Sequence, residues 1–234
     1  MNSTRKNLSF RVFVSSTFSD FVLERNALHE RVFPSLVKYC QQRGATFQAV
    51  DLRWGVAREA ALDQQTMKIC LDELRNCQRS SPKPNFIILL GDRYGWIPLP
   101  RQIESTEYAS LVNTLEAHEI EELNQWYRRD ENAVPESHIL LPRAGRFANH
   151  DTWLTAERRL SELLAKAVER HYTQSDPAKP DYDPARDKYF LSATHQEIIC
   201  GAIDPEQARN ATSHVFCGFR TISGLPENDS VVSF

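Results

Sequence analysis

The sequence predicts an α/β protein: a parallel β-sheet flanked by helices, with a helical insertion before the last βα unit. Three observations predict it. The run Phe86-Ile-Ile-Leu-Leu90, bounded by Pro84 and Gly91, is apolar without alternation. Such runs read as strands buried on both faces, which occur mainly in parallel sheets covered by helices. Two earlier strand patterns, Leu8 to Ser15 and Thr46 to Leu52, alternate with stretches of helical periodicity. Over residues 101–187 that rhythm gives way to helical stripes, and it resumes at Tyr189.

Composition narrows the function classes. With 41% hydrophobic residues in 234, the chain can build a sizeable core. Its formal net charge of −3 and pI near 6.2 supply no basic field, so no direct nucleic-acid binding and no membrane partner is expected. Met1 to Asn7 is polar rather than a signal sequence, and no apolar run is long enough to span a bilayer. The expected location is cytoplasmic. Cys40, Cys70, Cys77, Cys200 and Cys217 are odd in number, contain no Cys-x-x-Cys pair and sit in apolar contexts, which favours reduced core thiols over zinc ligands or disulfides. No metal site is predicted.

Taken in order, the first strand breaks into Ser15-Ser16-Thr17, and a helix follows over Phe21 to Gln41 with Leu28, Val32 and Leu36 on one stripe. Pro34 must kink or restart that helix. Three hydroxyls at a strand's carboxyl end, with Thr17 and Asp20 in capping-box spacing, suit a phosphate; an ordinary capped helix reads the same residues equally well. The second strand ends in Asp51-Leu-Arg53-Trp54. These residues could hold the ribose and base of a nucleotide, or form an ion pair capped by a ring. A third helix opens at Asp63 or Gln64 and carries Met67, Cys70, Leu71, Leu74 and Cys77 on one face, with Glu73 off the stripe as a solvated residue.

The central strand then delivers Gly91-Asp92-Arg93-Tyr94-Gly95-Trp96, a polar and aromatic loop where ligands of open α/β sheets bind. In the insertion, Tyr108, Leu111 and Leu115, then Ile120, Leu123 and Tyr127, describe one long helix or two; Leu160, Leu163, Leu164, Ala167 and Val168 describe another. Ser175 to Asp187, with three prolines, reads as an irregular linker. Thr194 and Glu197 are spaced as a capping box at the start of a short helix, and His214 to Phe219 is the last strand. The expected division is therefore 1–100 and 188–222 for the core, 101–187 for the insertion and 223–234 for a tail that ends as though more chain followed.

Phe13-Val-Ser-Ser-Thr-Phe-Ser-Asp20 with Glu24 and Arg25, Val50-Asp-Leu-Arg-Trp-Gly55, and Leu89-Leu-Gly-Asp-Arg-Tyr-Gly-Trp96 together resemble the TIR-like N-terminal module of unknown function that precedes NACHT-type STAND NTPases. That group includes nephrocystin-like, telomerase-associated and bacterial immune proteins. The resemblance covers the first hundred residues and resumes from Tyr189. It implies a flavodoxin-like, TIR-like sheet with a signalling role in innate immunity or antiviral defence. Its implied partners are further copies of itself and a downstream NTPase and sensor region.

TIR enzymes that cleave the nicotinamide bond of NAD use a glutamate on a late helix. By position in the βα order Glu197 matches it best, with Glu104 and Glu107 weaker candidates. The chain lacks the Trp-Cys-x-x-Glu of those enzymes. Under this reading Glu197 is catalytic, Ser15, Ser16, Thr17, Asp51, Arg53, Trp54, Arg93 and Tyr94 bind the nucleotide, no cofactor is required and NAD is the candidate substrate. A glutamate three residues after a cap threonine also often only reaches back to the cap's own N–H. The alternative function is a non-catalytic interaction module that signals by self-association. Protease, P-loop and response-regulator readings lack their motifs: there is no His-Glu-x-x-His, no Gly-x-Ser-x-Gly, no Gly-x-x-x-x-Gly-Lys, and no acidic cluster at the first strand end.

Overall fold

Parallel pairing around β1 (Leu8–Ser16) organises the first of two units in the computed structural model, which describes residues 8–17, 20–52, 61–172, 184–203 and 211–223. β1 pairs on one side with β2 (Ala45–Val50), Phe13 opposite Val50, and on the other with β3 (Phe86–Leu90), Phe13 opposite Phe86. β3 in turn pairs with β7 (Val215–Phe219), giving the order β2-β1-β3-β7, all parallel and compatible with a flavodoxin-like fold. The first unit comprises residues 1–53, 73–95 and 197–234; the second comprises 54–72 and 96–196.

The helix expected over Phe21 to Gln41 is present in three pieces: α1 (Val22–Ala27), a π-helical turn (Leu28–Val32) and α2 (Phe33–Gln41). Pro34 falls in the first turn of α2, directly after the π-helical turn, and the helix runs on through it. Gly44 ends it at φ +70°, a left-handed conformation that suits glycine. α3 (Thr66–Ser80) begins after Gln64, which is itself left-handed at φ 56°, and buries the predicted Cys70, Leu74 and Cys77.

Neighbouring residues of a strand point to opposite faces, so the contacts of Phe13 and Phe86 define one face of the sheet. That face meets Leu74 of α3 and Gly201, where a Cβ would lie 2.7 Å from the Phe86 ring and 2.9 Å from Leu74. Gly201 belongs to a π-helical turn (Ile199–Ile203), and its carbonyl accepts from the Gln78 side chain at 2.7 Å. The other face of the sheet meets α1 and α2.

The second unit corrects the purely helical reading of 101–187. It holds β4 (Gln102–Glu104), α4 (Ser105–Val112), α5 (Ala117–Asn124), β5 (Tyr127–Asp130), β6 (Ser137–Leu140), the long α6 (His150–Tyr172) and a helical turn α7 (Pro184–Asp187). Its strands form an antiparallel sheet in the order β4-β6-β5. At three or four residues each they are too short to display alternation. Tyr127, expected on a helical stripe, instead opens β5. The stripes themselves were legible: Tyr108, Leu111, Leu123, Leu160, Leu163, Leu164, Ala167 and Val168 are all buried in this unit's core with Trp153. Residues 175–183 of the expected linker lie outside the described residues.

Cys40, Cys70 and Cys77 are buried thiols as expected, Cys200 is half-buried, and Cys217 on β7 is exposed; none of the five is in a disulfide. No helix among the described residues is long and apolar enough to cross a membrane.

Candidate functional site

Ser15 and Ser16 end β1 side by side, so the pleat sends them to opposite faces of the sheet. Ser16, 3% exposed, faces α1. It accepts a hydrogen bond from Arg25 Nε at 2.6 Å, and its carbonyl accepts from Arg25 Nη2 at 3.1 Å. Arg25 is completely buried and forms an ion pair with Asp51, whose side chain is equally sealed from solvent. His29 Nε2 lies 3.1 Å from the other Asp51 oxygen. The end of β2 is thereby tied to the helix that leaves β1. A buried guanidinium and carboxylate persist together because each satisfies the other's charge and hydrogen bonds.

Ser15, 1% exposed, faces the other way and donates its hydroxyl to the carboxylate of Glu197, 182 residues away in the chain. Glu197 sits on α8 (Ala193–Ile198) and is 7% exposed. The capping-box reading of Thr194 and Glu197 is corrected here. Ser192 is the cap, accepting from the His195 N–H at 3.2 Å, and Thr194 lies inside the helix. Glu197 bonds across to β1.

Thr17 lies where the chain leaves β1, and its Oγ1 donates to the carbonyl of Arg93 at 3.2 Å. That bond joins the loops after β1 and β3. Asp92, Arg93 and Tyr94 are exposed, Tyr94 at 58%. Gly91 permits the close approach of the two loops: a Cβ there would lie 2.5 Å from Asp20 Oδ2 and 3.3 Å from the Phe21 ring. The expected Thr17–Asp20 capping box does not form. α1 has Phe21 at its N-cap with no side-chain cap, and Asp20 pairs with Arg220, which follows β7. Arg220 also holds Glu24 at 2.6 Å and lies 4.3 Å from the Phe21 ring centre. Burial pushes the Glu24 carboxyl up, and its backbone hydrogen bond and Arg220 outweigh that, leaving it below the usual range.

Of the predicted site residues, the structure joins Ser15 to Glu197 and Thr17 to the backbone of Arg93, both at the carboxyl end of the sheet. It does not gather Ser15, Ser16 and Thr17 into one phosphate cradle, because the first two are buried on opposite faces. Asp51 faces Arg25 and His29. Arg53 and Trp54 lie outside the described residues. The weaker candidates belong to the second unit, where Glu104 is exposed and Glu107 is held by Lys188 at 2.7 Å and by the Tyr189 hydroxyl at 2.6 Å. Glu73, expected to be solvated, pairs with Arg11 at 2.8 Å. No group of three His, Cys, Asp or Glu suited to a metal occurs among the described residues.

Sequence reasoning assigned no role to Arg25 or Arg220. A signal existed for Arg25: it falls on the stripe of Phe21, Leu28 and Val32, and an arginine on a helix face packed against a sheet needs a buried acid. Arg220 lies 200 residues from Asp20, and nothing local announces that pairing.

Residues 11–132 match the family described as Domain of unknown function (DUF4062). The chain is 40% identical over 121 residues to NACHT domain- and WD repeat-containing protein 1 of Mus musculus, covering 51% of this chain and 8% of that protein. It is 33% identical over 206 residues to NACHT and WD repeat domain-containing protein 2 of Homo sapiens, covering 81% and 12% respectively. Telomerase protein component 1 of Mus musculus is 37% identical over 90 residues, 38% of this chain and 3% of that protein. The chain thus spans only a small part of these relatives' length. No solved structure matches it.

Proposed function

The chain belongs to the DUF4062 family, and on that premise we propose that it is the N-terminal signalling module of a NACHT-type protein, TIR-like in character and acting in the cytoplasm. Its sheet-end site takes NAD or a related nucleotide when the downstream NTPase and sensor region assembles several copies. The observation that supports this reading best is the bond from Ser15 to Glu197, which stations a carboxylate at the carboxyl end of the central parallel strands. Arg93 and Tyr94, exposed on the loop after β3, are suited to a phosphate and to stacking on a ring. Ser16, Arg25 and Asp51 then serve as the lock beneath the site.

The chemistry asks little of the protein. The bond between ribose C1′ and the nicotinamide nitrogen breaks, nicotinamide leaves as a neutral molecule, and water adds to C1′ and gives up a proton. Positive charge builds on the ribose as the bond lengthens, and a fixed carboxylate stabilises it. Glu197 supplies that charge, and Ser15 positions it.

A second reading, a non-catalytic module that signals by self-association or by docking another protein, is favoured by the closure of the site. Asp51 is sealed against Arg25, and Glu197 is 7% exposed. The two readings separate in one experiment: nicotinamide release from NAD by the chain, alone and fused to an oligomerising scaffold, with Glu197→Gln beside it. Release by the wild type and not by Glu197→Gln supports the enzyme. Equal release by both removes Glu197 from the mechanism. Silence under enforced assembly leaves the interaction module.

A further inference from the structure

β7 is an edge of the parallel sheet and, among the described residues, pairs with β3 alone. Its register shows which backbone groups point away from the sheet. Arg220 N–H donates to the Leu90 carbonyl at 2.8 Å, and the N–H and C=O groups of successive strand residues alternate between the two sides. Phe216 and Gly218 therefore turn theirs to β3, while Val215, Cys217 and Phe219 turn theirs to the open edge. Sheet edges are ordinarily protected by a lysine or other charge, a proline or a bulge. Val215-Phe-Cys-Gly-Phe219 has no charge and no proline, and it pairs with β3 residue for residue without a bulge. Phe216 is 62% exposed, Phe219 78%, and Cys217 is exposed.

This strand is complementary to itself. In an antiparallel pair centred on Cys217, Phe216 stands opposite Gly218 of the other copy, Val215 opposite Phe219, and the two Cys217 residues opposite each other. Each phenylalanine thus meets a smaller residue, and the Phe216 ring lies over a glycine. Val215, Cys217 and Phe219 fall at the hydrogen-bonded positions, so all their outward N–H and C=O groups are exchanged between the copies. One surface that matches itself is what a two-fold contact requires. The chain's own continuation heads elsewhere. After Arg220, the Ile222 N–H donates to Asp92 Oδ2 at 3.3 Å, which leads the chain along the loop after β3 and away from the open edge.

We propose that the β7 edge is the self-association surface of this module, pairing antiparallel with β7 of a second copy about a two-fold axis at Cys217 and joining the two parallel sheets into one. The inference rests on the reading of a module that signals by self-association, and it names the surface. Five residues a side make a small contact, so free copies pair weakly. Copies held together by a longer protein meet at effective concentrations of roughly millimolar, where a weak pair forms.

The test uses the whole chain, free at rising concentration and fused to an oligomerising scaffold, with dibromobimane, which bridges two thiols only when they are in near contact. Wild-type chains should bridge into a covalent dimer, and Cys217→Ser should abolish it. In the Cys217→Ser background, Val215→Cys and Phe219→Cys chains should bridge when mixed and not when alone, because the register sets position 215 opposite 219. Cys217→Pro removes an outward N–H without touching the bonds to β3, and Cys217→Lys puts a charge on the axis. Each should weaken association more than about tenfold in sedimentation velocity, with far-UV circular dichroism unchanged; should either variant misfold, the mixed-thiol result decides. Dimers that survive both substitutions, or mixed thiols that bridge no better than each alone, would overturn this surface while leaving self-association to another. A chain that stays monomeric in solution and unbridged on the scaffold would overturn the self-association reading with it. Cys217 that neither bridges nor reacts with a monofunctional maleimide would overturn the proposal by assigning the edge to the chain's own continuation.

Discussion

Replacing Arg25 with methionine probes the lock between β1, α1 and β2. Methionine keeps an unbranched apolar stem as far as the position of Nε, lacks the guanidinium beyond it and removes every donor. The variant removes the guanidinium from the Asp51 carboxylate, whose side chain is 1% exposed and keeps His29 Nε2 at 3.1 Å, and takes two hydrogen bonds from Ser16. Breaking a buried pair by removing one member costs about 3–5 kcal/mol, because the other charge stays buried. For a domain of this size each kcal/mol lowers the melting temperature by about 2–4 °C, so the loss should be about 6–20 °C.

Far-UV circular dichroism follows both units, while fluorescence from Trp96, Trp126 and Trp153 reports the second. The variant should therefore move the dichroism transition more than the fluorescence one. The double variant Arg25→Met with Asp51→Leu removes the stranded charge and should regain more than half of the loss. A drop below about 2 °C for Arg25→Met, or a double variant no better than the single, would refute the argument that the pair is a buried and mutually dependent unit.

Ser15→Ala removes a donor from a buried carboxylate and should cost about 1.5–3 kcal/mol in chemical denaturation, whereas Glu197→Gln keeps a hydrogen-bonding partner for Ser15 and should cost under about 1 kcal/mol. Gly201→Ala drives a methyl into Phe86 and Leu74 and should cost about 1–3 kcal/mol by the same measurement; an unchanged midpoint would mean that the π-helical turn after Glu197 yields freely. Burial pushes the Glu157 carboxyl up, against the Trp96 indole N–H at 3.2 Å and Arg143, so the folded second unit prefers it protonated. Its contribution is complete below the carboxyl's ordinary range and is lost as pH rises through the raised value. Glu157→Gln should accordingly raise the melting temperature at neutral pH, with the gain closing on acidification toward pH 4; a gain independent of pH would contradict this.

What the sequence determined by itself is the part that periodicity and chain order carry. The unbroken apolar run at Phe86 to Leu90 reads as a strand of a parallel sheet, and it is the inner strand β3, with Phe86 and Ile88 buried on one face and Ile87 and Leu89 half-buried on the other. The stripes of α3 and α6 reached the core because a 3.6-residue repeat places them on one face whatever they pack against. The strands of the second unit stayed hidden because three or four residues hold no period to read.

The site was legible only in its residues. That Ser15 and Ser16 part company, one to Glu197 and the other to Arg25, follows from the pleat of β1 once helices stand on both faces. That Asp51 is closed by Arg25, and Asp20 by Arg220 from the far end of the chain, was decided by tertiary structure alone. A charge shows what partner it needs, but burial and chain path choose which residue that partner is, and neither is a local property of sequence.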